Sequence, residues 1–239
     1  MKKVLFGLAL MAAALCTANT SESYAAASVI TESAAMEKSR VSYLMNGTDG
    51  KMYNLYIVGE NEKFCGGKMP GWKRTDYDQV YSATSYWAYI SEMNDSNAIL
   101  QNVNLFGKKS PNHPEYINRT DPTYMAGVYV IKGVQGQPDI LVSACQTSAS
   151  FVTYRVFAIK NGVLYPMKVI NDTNQETMTN LVGIHRKPYG MDDGTYAFPW
   201  FRRGMWKQDG TKIPGGNFTS VYMADFTNLM LIHAYTYKE

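Results

Sequence analysis

Five aromatic side chains, Tyr196, Phe198, Trp200, Phe201 and Trp206, fall within eleven residues together with Arg202 and Arg203. Flat rings beside guanidinium groups stack on sugar faces or grip a partner protein. A ring buries a large area at low entropic cost, and Arg adds hydrogen bonds in a fixed planar fork. Trp72, Trp87 and many tyrosines elsewhere in the chain extend the same chemistry. Core packing competes for these rings, because alternate side chains of a strand point to opposite faces. Half of the cluster is therefore expected to be core and the other half a binding platform, with Trp200 and Trp206 the first positions to substitute.

Hydrolysis of a polysaccharide would need two carboxylates facing each other across a cleft. Asp76 and Asp78, at alternate positions of Thr75-Asp76-Tyr77-Asp78, project from one face of an extended segment, and Asp192, Asp193 and Asp225 are the other candidates. Asp193-Gly194 is also good turn chemistry, and turn or solvated roles are the reading preferred for all five. Asp172-Thr173-Asn174-Gln175-Glu176 offers oxygens at alternate positions as a calcium loop does, but it lacks the glycine and the rest of the ligand set, so it reads as a polar loop. His113, His185 and His233 stand at no metal-ligand spacing with cysteine or carboxylate pairs, and no metal site is expected. No Gly-x-Ser-x-Gly elbow marks a nucleophile. Neither a catalytic residue nor a cofactor is assigned.

These residues sit in a chain that opens with an export pattern. Lys2 and Lys3 precede an unbroken apolar run over residues 4–15, and small residues follow. Ser23-Tyr24-Ala25 and Ala25-Ala26-Ala27 both suit a signal peptidase, so residues 1–27 read as a signal peptide cut after Ala25 or Ala27, with Cys16-Thr17-Ala18 an earlier option. The apolar run is too short to span a bilayer, and no later stretch reaches about 18 consecutive apolar residues. Cys16 follows the run where a lipid would be attached, but Leu15 is bulky where a lipobox wants a small residue, so Cys16 reads as part of the discarded signal. The expected address is the periplasm, the cell surface or the medium. Cys65 and Cys145 remain after cleavage. Paired in an oxidising compartment they would close a loop worth about 4 to 5 kcal/mol in the chain-entropy model; the alternative is two separate thiols.

The formal net charge of +3 falls to +2 without residues 1–27, and no Lys/Arg run exceeds two, which argues against nucleic acid as a partner. Four Asn-x-Thr tripeptides, at Asn46, Asn118, Asn171 and Asn217, read as turn residues because the signal looks bacterial, and the scattered methionines read as core fillers. Residues 28–40, rich in Ala, Ser, Thr and Glu, are expected to be a tail or a short helix outside the core. From residue 41 to 239, Tyr, Val, Ile, Thr and Phe dominate and Gly/Asn/Asp clusters punctuate at short intervals, so one antiparallel all-β domain is expected. Its strands are placed at 53–58, 85–91, 99–106, 124–131, 140–145, 152–159, 163–170, 219–226 and 229–237, about ten in all with short connections. Asn161-Gly162 is the strongest hairpin signal.

Within this stretch, Gly136-Gln137-Pro138-Asp139-Ile140-Leu141-Val142-Ser143, Tyr154-Arg155-Val156-Phe157 and Asn161-Gly162-Val163-Leu164 resemble a blade of FG-GAP and VCBS-type β-propellers. The resemblance covers residues 124–170, about a fifth of the chain, and implies a four-stranded blade. Its calcium loop is not carried over, since Gly133-Val134-Gln135-Gly136 supplies no carboxylate. The fold expectation is thus a meander with propeller-like blades, or a sandwich or barrel. The functional expectation is an exported envelope protein that binds a glycan, a peptide or another envelope protein without catalysis. A secreted polysaccharide hydrolase and a structural or adhesive subunit are the competing readings.

Overall fold

Strand formation follows from alternation. In Met52–Glu60 the residues Tyr53, Leu55 and Ile57 point one way into a core, and the Gly50 turn before them, with φ of 76°, lets the chain reverse from the preceding strand. The computed structural model describes residues 28–66, 79–107, 114–120, 126–148, 151–173, 176–177, 181–183, 187–202, 204–206 and 208–239. They form an all-β architecture of antiparallel sheets with one short helix.

Three sheets carry the core. The N-terminal sheet orders Val29–Thr31, Asn97–Gln101, Ser85–Glu92, Met52–Glu60 and Ser39–Asn46. The middle sheet orders Val163–Pro166, Phe151–Lys160, Ile140–Ser148 and Ala126–Ile131, and Leu181–Gly183 adds to Phe151–Lys160. The C-terminal sheet orders Glu176–Thr177, Lys168–Ile170, Met230–Lys238, Gly216–Asp225, Tyr196–Arg202 and Tyr189–Gly190, with one parallel pairing, Lys168–Ile170 on Met230–Lys238. Lys63–Gly66, Val80–Ala83 and Glu115–Asn118 make a smaller sheet, and Met205–Trp206 pairs with Lys212–Ile213 in an isolated hairpin.

The middle sheet is buried on both faces. Val142, Ala144, Tyr154 and Val156 pack against Tyr196, Phe198, Tyr222 and Leu231 of the C-terminal sheet. Leu141, Phe157, Ile159 and Leu164 pack against Tyr53, Leu55, Ile57 and Ile90 of the N-terminal sheet. Double burial explains why Ile140-Leu141-Val142 and Val156-Phe157-Ala158-Ile159 are apolar at successive positions. Each Val, Leu, Ile or Phe side chain among them withdrawn from water contributes about 1.5–3 kcal/mol. The three sheets stack face to face, and among the described residues no closed barrel or propeller is detected.

The four strands expected between residues 124 and 170 are those of the middle sheet, and Asn161 and Gly162, with φ of 51° and 76°, make its last tight turn. The strand expected at 163–170 is divided. Pro166 offers no N–H for further pairing, Met167 turns into the core with its N–H on Val156 O, and Lys168–Ile170 crosses to the C-terminal sheet. The segment 28–40 carries the expected short helix, Glu32–Lys38, rather than a loose tail, and it docks on the N-terminal sheet. Val29–Thr31 pairs with Asn97–Gln101, Thr31 Oγ1 caps Glu32–Lys38 by accepting from Ala34 N, and Ala35 is buried against Tyr56 and Ala98. Small residues hid this docking: Ala35 lets the helix lie close to the sheet, and Glu32 Oε1 anchors it by accepting from Tyr56 OH at 2.8 Å and Asn54 Nδ2 at 2.7 Å. The expected signal peptide, residues 1–27 with Cys16, lies outside the described residues.

Candidate functional site

The aromatic cluster divides by strand alternation. Tyr196 and Phe198 point inward and are core. Trp200, on the same face, stacks on Phe218 with centroids 4.9 Å apart, and its Nε1 donates to Ser220 Oγ at 2.9 Å. Arg202 continues that face with its guanidinium 4.7 Å from the Phe218 ring and donates to Pro214 O. Phe201 is exposed on the opposite face, Trp206 is exposed on the isolated hairpin, and Arg203 lies outside the described residues. The cluster therefore makes no single platform.

Among the described residues the other sequence candidates do not converge. Asp76, Asp78, Trp72, His113 and His185 lie outside the described residues. Asp193 Oδ1 accepts from Thr195 N and Oγ1, and Asp225 accepts from Asn228 N and Nδ2, so both close turns. Those bonds hold both carboxyls below their ordinary range, the side-chain donors Thr195 and Asn228 being the leading cause in each case. Asn171 Oδ1 accepts from Thr173 N, which makes the start of the 172–176 segment a turn. His233 pairs with Thr236 Oγ1 at 2.8 Å beside the Tyr222 ring. Among the described residues no three His, Cys, Asp or Glu side chains gather to hold a metal. Cys65 and Cys145 are not joined in a disulfide. They belong to different sheets: Cys65 Sγ donates to Ser82 Oγ in the small sheet, while Cys145 stands between Thr153 and Ala126 in the middle sheet, where burial pushes its thiol up.

The described residues also form a groove that no local pattern announces. Its volume is about 1050 Å³, and it lies where the middle sheet ends on the inner face of the N-terminal sheet. The middle sheet covers Tyr53, Leu55 and Ile57, but its edge strand Val163–Pro166 reaches the strand Asn97–Gln101 at Gln101 and leaves Ile99 uncovered. Ile99, directly across from the buried Ile90, is left 43% exposed. Ile90, Ile99 and Leu164 give the groove an apolar floor, and Asp49, Glu92, Asp95, Asn97, Asn102 and Asn161 surround it.

Several contacts hold this geometry. Gln101 is buried between the two sheets; its Nε2 donates to Ile99 O and its Oε1 accepts from Leu164 N, both at 3.0 Å. Tyr53 OH donates to Asp49 Oδ2 at 2.6 Å beneath the Gly162 turn. Desolvation alone would raise the Asp49 carboxyl, but the Tyr53 hydroxyl and the Lys51 N–H outweigh it and hold the group below its ordinary value. Asp49 is thus an ionised acceptor at neutral pH. Lys51 Nζ contacts Glu92 Oε2 at 2.9 Å, and Asp95 Oδ1 accepts from Asn97 N.

The groove walls also decide what cannot enter. A peptide joining the sheet would need outward N–H groups along Val163–Pro166. Leu164 N–H is already taken by Gln101, and Pro166 has none. Comparison with protein-family models yields no match, and comparisons with curated proteins and with solved structures yield none either.

Proposed function

We propose that this chain is an exported bacterial envelope protein that acts as a non-enzymatic binding module, and that its ligand is a glycan held in the groove between the N-terminal and middle sheets. Export is supported by Lys2, Lys3 and the apolar run at residues 4–15. The observation that carries the ligand class is the pairing of an apolar floor, Ile90, Ile99 and Leu164, with a rim of carboxylates and amides. A pyranose ring has the matching shape, with C–H faces for the floor and hydroxyls around its edge. Ionised carboxylates accept hydroxyl protons, and amides both donate and accept. The blocked edge strand favours a glycan over an extended peptide.

The test is calorimetry and thermal unfolding of residues 28–239 against neutral cell-wall and plant oligosaccharides. A ligand at about a hundred times its dissociation constant adds about 2.7 kcal/mol to stability, or roughly 5–11 °C in a chain of this size. Glu92→Gln and Asn102→Ala should weaken binding at least tenfold while leaving the ligand-free midpoint in place. The reading fails if no oligosaccharide binds, if these variants bind as well as the parent, or if the bound glycan is cleaved.

A further inference from the structure

The hairpin Met205–Trp206/Lys212–Ile213 stands outside the three stacked sheets. Among the described residues its strands pair only with each other, and none of them belongs to a core cluster. Trp206 is nevertheless 71% exposed and Met205 54% exposed, with Phe201 also exposed at the hairpin's root. Strands this short cannot bury a tryptophan on their own hairpin, and among the described residues nothing else covers the ring, which leaves its face open to something from outside.

Charge identifies that something. Arg202, Arg203, Lys207 and Lys212 fall within residues 201–213 against one carboxylate, Asp209, so this segment carries as much net positive charge as the whole chain. Asp209 is occupied in the turn, where its Oδ1 accepts from Thr211 N at 2.8 Å. Lys212 Nζ sits 5.8 Å from the Trp206 ring centre, which places cation and indole at the same end of the molecule. An indole with a thioether beside it in sequence and the Lys212 ammonium near its ring, in a segment of net positive charge, matches the boundary between lipid headgroups and acyl chains, where Trp is enriched and each nearby basic residue is drawn to anionic lipid.

We propose that this hairpin docks the protein onto an anionic phospholipid surface, with Trp206 and Met205 entering the headgroup boundary and Lys212 facing the lipid phosphates. The inference shares no residue with the groove and stands or falls apart from it.

Flotation of residues 28–239 with vesicles of phosphatidylcholine, alone or with about one third phosphatidylglycerol, tests it. Binding should require the anionic lipid and fade at high salt, because the Debye length shrinks to about 3 Å at 1 M. It should also move the tryptophan emission to the blue. Trp206→Ala and Lys212→Glu should each weaken binding about tenfold or more, with unfolding midpoints equal to the parent because both side chains lie outside the core. Trp206→Ala should in addition abolish the emission shift. Absence of binding to either vesicle, equal binding to both, or unchanged binding by the Trp206→Ala protein would overturn the proposal.

Discussion

Asp139→Asn is expected to be among the most damaging isosteric substitutions in the chain. The Asp139 side chain is only 1% exposed, and three donors converge on it: Asn46 N at 2.8 Å and Lys132 Nζ at 2.9 Å on Oδ2, and Gly133 N at 2.9 Å on Oδ1. Asp139 N in turn donates to Asn46 O, so this residue ties the connection before the strand Ile140–Ser148 to the end of the strand Ser39–Asn46. A carboxylate serves donors on both oxygens, whereas an amide accepts on one side and presents N–H on the other. The variant must set an N–H against either Asn46 N–H or Gly133 N–H. Losing one charge-assisted bond and leaving a buried donor unmet costs about 2–4 kcal/mol, which corresponds to roughly 4–16 °C in the unfolding midpoint. Lys132 is the control. Its side chain is 61% exposed, so Lys132→Met should cost no more than about 1 kcal/mol. Urea unfolding followed by near-ultraviolet circular dichroism measures both. An Asp139→Asn protein within about 0.5 kcal/mol of the parent, or a Lys132→Met protein equally damaged, would refute the account, since either would mean that the two backbone donors do not depend on this carboxylate.

Two further outcomes follow from the site geometry. Asp49 titrates below the ordinary carboxylate value of about 3.9, so as pH falls the unfolded chain takes up this proton first; the stability it supplies is present above that value and is lost as pH drops through the lower folded one. The urea midpoints of the parent and Tyr53→Phe proteins should therefore differ more at pH 7 than at pH 2.5, and a constant gap would show that the Tyr53–Asp49 bond is not the source. Trp200→Ala should cost about 2–3 kcal/mol, because it removes the Phe218 stack and the Ser220 bond at a half-buried site, yet it should leave glycan affinity unchanged when the folded protein is titrated.

Much of the architecture is legible in the residues themselves. Alternation in residues 53–58, the Asn161-Gly162 turn and the doubly apolar runs at 140–142 and 156–159 are consequences of local chemistry: which backbone angles are allowed and which faces must leave water. Alternation also determined that Tyr196 and Phe198 would part company with Phe201. The order in which the sheets stack carries no such local signature. Nor does the pairing of distant strands, which set Trp200 across from Phe218, brought Val29–Thr31 onto Asn97–Gln101 with Ala35 buried behind them, and placed Cys65 and Cys145 in different sheets. The groove belongs wholly to this second class. Asp49, Glu92, Asn102 and Asn161 are spread over more than a hundred positions and form no motif; they meet because Val163–Pro166 ends the middle sheet and leaves Ile99 uncovered. Short-range sterics and the periodicity of burial are written along the chain, whereas a concavity is made by what one sheet fails to cover on another, and only long-range packing decides that.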